Sequence, residues 1–373
     1  MKILHLADLH IGKMLYGHSL IEDQRHLFEL IYQTIEQKQI QAVIIAGDVY
    51  DRAVPGTDAV NLLDEFLDQL INVLHVQVLL ISGNHDSPAR LNFGSRILEK
   101  RGLHIASEVP ERIVPVVLED AFGPVYFYLL PFFRKTDLRE ILNIEERNIS
   151  LDALLERYLA QQEIDESKRN ILVTHTTCIG NMASSEEVGG IEWVSGEAFK
   201  NYDYVALGHL HGCHRVSAYP IYYAGSPLKF SIDEANQKKG LVIVELQEKG
   251  HLQVEMQDIE PLHDVRVIEG TLNDILEMPP AEDYVFLSLL DKTLQINAAD
   301  RARVVFKNLL GLTYQHLETG KSSRLHHELK TLQQLSPLDL FVSFYEEMMG
   351  QPAEQKVKDI FETYYQEGEA HEN

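Results

Sequence analysis

Val76-Gln77-Val78-Leu79-Leu80-Ile81-Ser82-Gly83-Asn84-His85-Asp86 is the stretch around which the rest of the chain is organised. The apolar, β-branched run reads as a buried strand. It stops at Gly83, where the backbone can turn sharply and approach a ligand closely. Three polar groups follow: an amide oxygen on Asn84, an imidazole on His85 and a carboxylate on Asp86. Pro88 suits the first turn of a helix. In open α/β sheets, ligands bind beyond the carboxyl ends of the strands. Taken alone, the stretch reads first as a plain strand, turn and helix. The other strand ends change that weighting.

Upstream, Lys2 to Ala7 reads as a first strand ending at Asp8-Leu9-His10, and Ala42 to Ala46 as a second ending at Gly47-Asp48. Leu27, Leu30, Ile31 and Ile35 give helical spacing over Glu22 to Gln37, and Val60, Leu63, Leu67, Leu70 and Ile71 do so over Thr57 to Val73. A further helix is predicted from Pro88 to Lys100. The first hundred residues thus read β-α-β-α-β-α. Downstream, short strands are expected at Val114–Leu118 and Val125–Leu129, then a polar helical stretch over 137–166. Asn170–Thr174 is another buried strand, ending at His175. Gly180 to Gly190 reads as a mobile loop. Asp203–Leu207 leads into Gly208-His209-Leu210-His211, Ile221–Tyr223 into Gly225-Ser226-Pro227, and Gly240–Leu246 with His251–Met256 reads as a closing hairpin turning at Lys249-Gly250. A break near Pro261 precedes an α+β module with strand-like runs at Val265–Ile268 and Tyr284–Leu290, and an acidic helical tail follows Ser336-Pro337.

The bulk properties narrow the function. The chain has 373 residues, 45% of them hydrophobic, enough for a real core and for two to three domains by length. The N-terminal apolar run is short and broken by Asp8, unlike a secretory signal. No apolar run approaches the ~20 residues of a membrane span. Cys178 and Cys213 make neither a disulfide framework nor a metal pattern. A cytoplasmic location is expected. The formal charge of −24 argues against a free-standing nucleic-acid binder. It does not exclude a nuclease, because metals carry local positive charge and a partner can supply further DNA-binding surface.

Five strand ends carry ligand types: Asp8-x-His10, Gly47-Asp48-x-x-Asp51, Gly83-Asn84-His85-Asp86, His175 and Gly208-His209-x-His211. In an extended segment residues i and i+2 point the same way, so Asp8 with His10, and His209 with His211, can each converge. Carboxylate, imidazole and amide together suit Mn²⁺, Fe²⁺ or Zn²⁺. So many ligands exceed the needs of one ion. Two ions ~3.5–4 Å apart can activate a water and stabilise a phosphoryl transition state.

This ordered set resembles the calcineurin-like metallophosphoesterase family over about residues 1 to 260. The resemblance implies an α/β metallophosphoesterase sandwich with a small α+β capping domain and a C-terminal helix-loop-helix. Carried over residue by residue, it implies that Asp8, His10 and His211 bind one ion, that Asn84, His175 and His209 bind the other, and that Asp48 bridges them. His85 would face the scissile phosphate without binding metal, and Asp51 would orient His85. Asp8-Leu9-His10-Ile11-Gly12-Lys13, Gly47-Asp48-Val49-Tyr50-Asp51, Gly225-Ser226-Pro227 and the C-terminal module narrow the likeness to the bacterial DNA-end nucleases of the family. That likeness implies a Mn²⁺-dependent exonuclease and endonuclease that opens hairpins in DNA repair and recombination. It implies an ATPase partner of the structural-maintenance type and a homodimer within a heterotetramer. The implied division is 1–262 nuclease, 263–335 cap and 336–373 partner-binding tail, with apolar stripes at Leu340, Phe341, Phe344, Tyr345, Met348 and Met349 and at Val357, Ile360, Phe361 and Tyr364.

Other residues carry blander expectations. His5, His75, His104 and His251 lack motif context and read as ordinary, and His214 as a surface residue. Cys213, beside His211 and His214, has no second thiolate for a zinc site. Lys13, Arg25, Arg52 and Arg90 lie near motif loops and could meet phosphates or solvent. Tyr16 suits packing or base stacking. The same ligands would also serve a phosphatase or cyclic-nucleotide phosphodiesterase, but neither needs a cap and tail. A non-catalytic scaffold would not need to keep every ligand.

Overall fold

The structure is a computed structural model that describes residues 1–146, 148–180 and 192–315 and scattered positions between 338 and 361. Two six-stranded sheets face each other. The first runs in the order Leu252–Asp258, Gly240–Leu246, Lys2–Leu6, Ala42–Ala46, Gln77–Ile81, Leu103–Ala106. Its last four strands are parallel, and Gly240–Leu246 joins Lys2–Leu6 antiparallel. The second runs His214–Arg215, Ile221–Tyr223, Tyr204–Gly208, Arg169–His175, Gly123–Leu130, Val116–Asp120, with the four central strands parallel.

The alternation of strand side chains builds the layers. Ala42, Ile44 and Ala46 pack between the sheets with Ile3, Leu79, Phe127, Ile171, Val173 and Ala206. Their neighbours Val43 and Ile45 point to the other face, onto Leu27, Phe28 and Ile31 of the Ile21–Lys38 helix and Leu62, Leu63 and Phe66 of the Thr57–Asp68 helix. Phe28 and Phe66 stack there at 4.0 Å between ring centroids, and burying each such ring contributes roughly 1.5–3 kcal/mol. On the outer face of the second sheet, Leu172, Val205 and Leu207 pack against Leu154, Leu155 and Tyr158 of the Leu151–Ala160 helix. The result is an α/β sandwich with helices outside both sheets.

Two predicted helices differ from expectation. Pro88 to Lys100 is not continuous. It forms Pro88–Leu91, Ser95–Leu98 and a 3₁₀ turn Glu99–Arg101, broken where Gly94 takes a left-handed φ of 76°. The 137–166 stretch divides into Lys135–Ile141 and Leu151–Ala160. Asn143 ends the first at a left-handed φ of 52°, and the Ser150 side chain caps the second by accepting from Ala153 N. The Thr57 helix finishes as a wider turn over Gln69–Val73. The Gly180–Gly190 loop lies almost wholly outside the described residues.

The chain divides into two compact units: Met1–Val267 with Pro280–Phe286 and Phe306–Leu310, and Ile268–Pro279 with Leu287–Val305 and Gly311–Asn373. Beyond Pro261 the structure adds a strand that periodicity missed, Leu309–Tyr314, to Val265–Gly270 and Tyr284–Leu289. In the tail, Phe341 and Phe361 stack at 4.3 Å and 10°, so those two aromatic positions face each other. Leu340, Phe344, Met348, Met349, Ile360 and Tyr364 lie outside the described residues.

Candidate metal centre

The strands of the two sheets deliver their ends to one place. Asp8, following Lys2–Leu6, is laid against the next strand end by Asp8 N to Gly47 O (3.1 Å), and His10 N donates to Asp48 O (3.0 Å). Across the sheets, His209 N donates to both oxygens of Asp8 at 3.1 Å. His175 Nδ1 contacts Ala46 O at 2.8 Å. Glycine allows this approach. A Cβ on Gly83 would lie 2.1 Å from Asp48 Oδ1, and one on Gly208 would lie 1.9 Å from Ala46 O. Asp8, His10, Asp48 and His209 all hold positive φ, at 51°, 42°, 49° and 107°. Such strain in non-glycine residues persists where the surroundings over-determine it, and it clusters at functional sites.

Two ligand groups result. His10 Nε2 and His211 Nε2 lie 3.2 Å apart, in a cluster with Asp8. Asn84 Oδ1 lies 3.0 Å from His175 Nε2 and 3.1 Å from His209 Nδ1. Between them, one oxygen of Asp48, Oδ2, is 3.7 Å from His10 Nε2 and 3.4 Å from His175 Nε2. Asp8 and Asp48 are 0% and 2% exposed. Among the described residues neither has a lysine or arginine in ion-pair range. Two buried carboxylates faced only by imidazoles are costly unless a cation is bound. Two buried carboxylates among converging imidazole and amide lone pairs fit divalent ions.

The electrostatics agree. Burial pushes the Asp8 carboxyl up to about 6. Burial would raise Asp48 too, but the hydrogen bond and charge of His175, with His10, outweigh it and hold Asp48 well below the usual carboxylate range. Burial lowers His10 to about 3 and His209 to about 4, so both are neutral with lone pairs to offer. His175 is lowered by burial but lifted further by Asp48 and Asp8, to about 9. A proton held there would leave when a cation binds.

His85 is exposed. Its backbone N–H donates to Asp48 Oδ1 (2.9 Å), and its Nδ1 meets the Asp51 backbone oxygen at 3.0 Å. Asp51 therefore touches His85 through its carbonyl. Its carboxylate pairs with Lys13 Nζ at 2.8 Å and lies 3.7 Å from His10 Nδ1.

Three residues matter here that sequence reasoning did not assign. Asp86 is 6% exposed and accepts from Val49 N, Tyr50 N and Gly83 N at 3.1, 2.9 and 2.8 Å, which staples the Asp48 and Asn84 loops together. Gln24 donates to Leu9 O and His10 O and accepts from Gly12 N. Glu234 Oε1 lies 2.9 Å from His211 Nδ1. Burial would raise Glu234, but the His211 hydrogen bond and Lys239 bring it to about 2. Asp86 sits in a visible motif; Gln24 and Glu234 carry no sequence signal.

The other flagged residues stay outside the centre. His5 is fully buried against Tyr204 Oη at 2.9 Å. His75 contacts Ile71 O, and His104 is half-buried. His251 is exposed, as is His214, which stacks on Tyr223. Among the described residues the metal-capable clusters omit Cys213. Arg25 pairs with Glu65 and Arg52 with Asp51, while Arg90 is exposed. Tyr16 is 54% exposed, 6.5 Å from the Phe286 ring.

Comparison with known proteins supplies the lineage. Residues 1–213 match the calcineurin-like phosphoesterase family, and residues 261–349 match a type 5 capsule protein repressor C-terminal domain. A protein of Staphylococcus saprophyticus, named as the SbcD component of the nuclease SbcCD, is 32% identical, covering 99% of this chain and 100% of its own length. One of the same name from Staphylococcus epidermidis is 31% identical over 96% of each. The chain belongs to the calcineurin-like phosphoesterase family, in the group of the SbcD proteins it matches from end to end.

Proposed function

We propose that the chain is a divalent-metal-dependent DNA nuclease that hydrolyses phosphodiesters, with Mn²⁺ as its ion. It acts as a double-strand exonuclease, a single-strand endonuclease and an opener of hairpins, with an SbcC-type ATPase, in DNA repair and recombination. Two copies join two ATPase chains, and the work is cytoplasmic. Residues 1–262 form the nuclease, 263–335 a cap over the DNA face, and 336–373 the segment that holds the ATPase.

The observation that carries this reading is the shared oxygen of Asp48, within 3.7 Å of one imidazole group and 3.4 Å of the other. One carboxylate serves both halves of the site, the arrangement that two adjacent ions need. Asp8, His10 and His211 would hold one ion, and Asn84, His175 and His209 the other. When bound, the ions acidify a water and neutralise phosphoryl charge. The chain supplies the rest. Asp51 O accepts a hydrogen bond from His85 Nδ1, which aims Nε2 at the scissile phosphate. As an imidazolium protonated on both nitrogens, His85 would donate from Nε2 to the developing negative charge and pass that proton to the leaving 3′ oxygen, ending as the neutral Nδ1–H ring. Asp86 and Gln24 keep the ligand loops in register. Imidazole donors favour Mn²⁺ over Mg²⁺, which prefers oxygen and retains its waters. A phosphatase or cyclic-nucleotide phosphodiesterase would use the same loops. The likeness to nuclease subunits, however, continues through residues that such enzymes do not need.

The test is a labelled DNA hairpin incubated with Mn²⁺, with and without the ATPase subunit and ATP, beside a small phosphatase substrate. Cleavage of DNA that chelation abolishes supports the reading. Turnover of the small substrate alone refutes it.

A further inference from the structure

Gly225-Ser226-Pro227 stands out in the sequence, yet no part of the proposed reaction uses it. In the fold it presses on the loop that carries His211. A Cβ on Gly225 would lie 2.7 Å from His211 O and 2.7 Å from Cys213 N. Ser226 N donates to His211 O at 3.1 Å, and Ser226 Oγ donates to Leu228 O at 2.8 Å. Lys239 Nζ ties the same pieces together. It donates to His211 O at 2.9 Å and to Ser226 Oγ at 2.8 Å, and pairs with Glu234 Oε2 at 2.6 Å. The other Glu234 oxygen meets His211 Nδ1 at 2.9 Å. Ser226, Glu234 and Lys239 are all nearly buried.

An ionised carboxylate only accepts hydrogen bonds. His211 Nδ1 must therefore carry a proton, so in the neutral ring that a cation requires the lone pair lies on Nε2, which faces His10 Nε2. The two imidazoles of the other group are held differently. His175 Nδ1 meets a backbone carbonyl, and His209 presents Nδ1 itself towards Asn84. We propose that Glu234, braced by Lys239 and Ser226, is a positioning residue that fixes the tautomer and aim of His211. It thereby sets the affinity of the Asp8–His10–His211 ion site separately from that of the Asn84–His175–His209 site. A carboxylate behind a ligand histidine fixes its ring and raises its basicity, and removing one typically costs about 10- to 100-fold in metal affinity. The inference rests on the two-ion reading above.

The experiment uses the full chain, wild type and with Glu234→Ala and Glu234→Gln. Histidine ¹⁵N NMR on the metal-free proteins, with His211 assigned by a His211→Asn variant, reads the tautomer. Mn²⁺ calorimetry reads each ion's affinity. In the wild type His211 is expected as the Nδ1–H form, with two ions bound. Glu234→Ala is expected to lose that form and to weaken one ion about 10- to 100-fold, leaving the other unchanged. Glu234→Gln, which still accepts through its amide oxygen, should retain the tautomer and restore most of the affinity. A wild-type His211 with its proton on Nε2 overturns the inference even if Glu234→Ala fails to fold. If the wild type binds two ions and Glu234→Ala binds both as tightly, the inference alone falls. A wild type that binds fewer than two ions overturns the two-ion reading and the inference with it.

Discussion

Asp86→Asn tests how the ligand loops are held. In the wild type, Asp86 Oδ2 accepts from Val49 N and Gly83 N, and Oδ1 accepts from Tyr50 N. An amide has one acceptor oxygen. In its better orientation that oxygen takes the Oδ2 place, so the Tyr50 N–H faces an NH₂ group with the residue buried. An unsatisfied buried donor costs ~1–3 kcal/mol, and the two surviving bonds each lose about 1 kcal/mol of charge assistance. A neutral amide is cheaper to bury than a carboxylate, and burial already pushes the Asp86 carboxyl up, which offsets part of this. The net loss is ~2–4 kcal/mol. At ~2–4 °C per kcal/mol for a domain of this size class, the melting temperature should fall by roughly 5–15 °C. Because the loosened loops carry Asp48 and Asn84, Mn²⁺ should also bind more weakly. Calorimetric melting with and without Mn²⁺ reads both effects. A melting temperature within about 1 °C of wild type, with unchanged Mn²⁺ affinity, would refute the staple.

Four further outcomes follow from the site, the charge and the tail. His85→Gln should abolish DNA cleavage while retaining wild-type metal content by elemental analysis; loss of an ion would make His85 a ligand. The isolated chain should bind DNA weakly, and far better with the ATPase subunit, because its formal charge of −24 repels phosphate away from the ions; tight binding alone at physiological salt would contradict this. Deleting the residues after Leu335 should abolish association with the ATPase yet spare cleavage of simple substrates. Phe361→Ala, which removes one ring of the Phe341–Phe361 stack, should weaken that association at least about tenfold, as aromatic anchors usually do. Unfolding of the catalytic sandwich by the deletion would instead make the tail part of the core.

Much of the sandwich was legible because buried strands are short apolar runs with polar exits. Ala42–Ala46 stands as predicted, and the Val76 run forms the strand Gln77–Ile81. All five ligand-bearing strand ends meet. Interruptions inside apparent helices were not legible, because apolar periodicity continues across Gly94 and Asn143 while the backbone turns left-handed at both. The pairing of Gly240–Leu246 beside Lys2–Leu6 was equally hidden, since no local pattern names a strand's neighbour. The supports of the centre were least visible. Glu234 reaches His211 from 23 positions away, from a polar turn without periodicity. Asp51 was expected to orient His85, but the contact comes from its backbone oxygen, which side-chain chemistry does not announce.

If two ions share Asp48, crystals of the metal-free chain soaked in Mn²⁺ and measured at the manganese absorption edge will show it. Two anomalous peaks per chain are expected, one beside Asp8, His10 and His211 and one beside Asn84, His175 and His209, with Asp48 touching both. Both should fade in Asp48→Asn. A single peak, or two that survive the loss of the Asp48 carboxylate, would contradict that sharing.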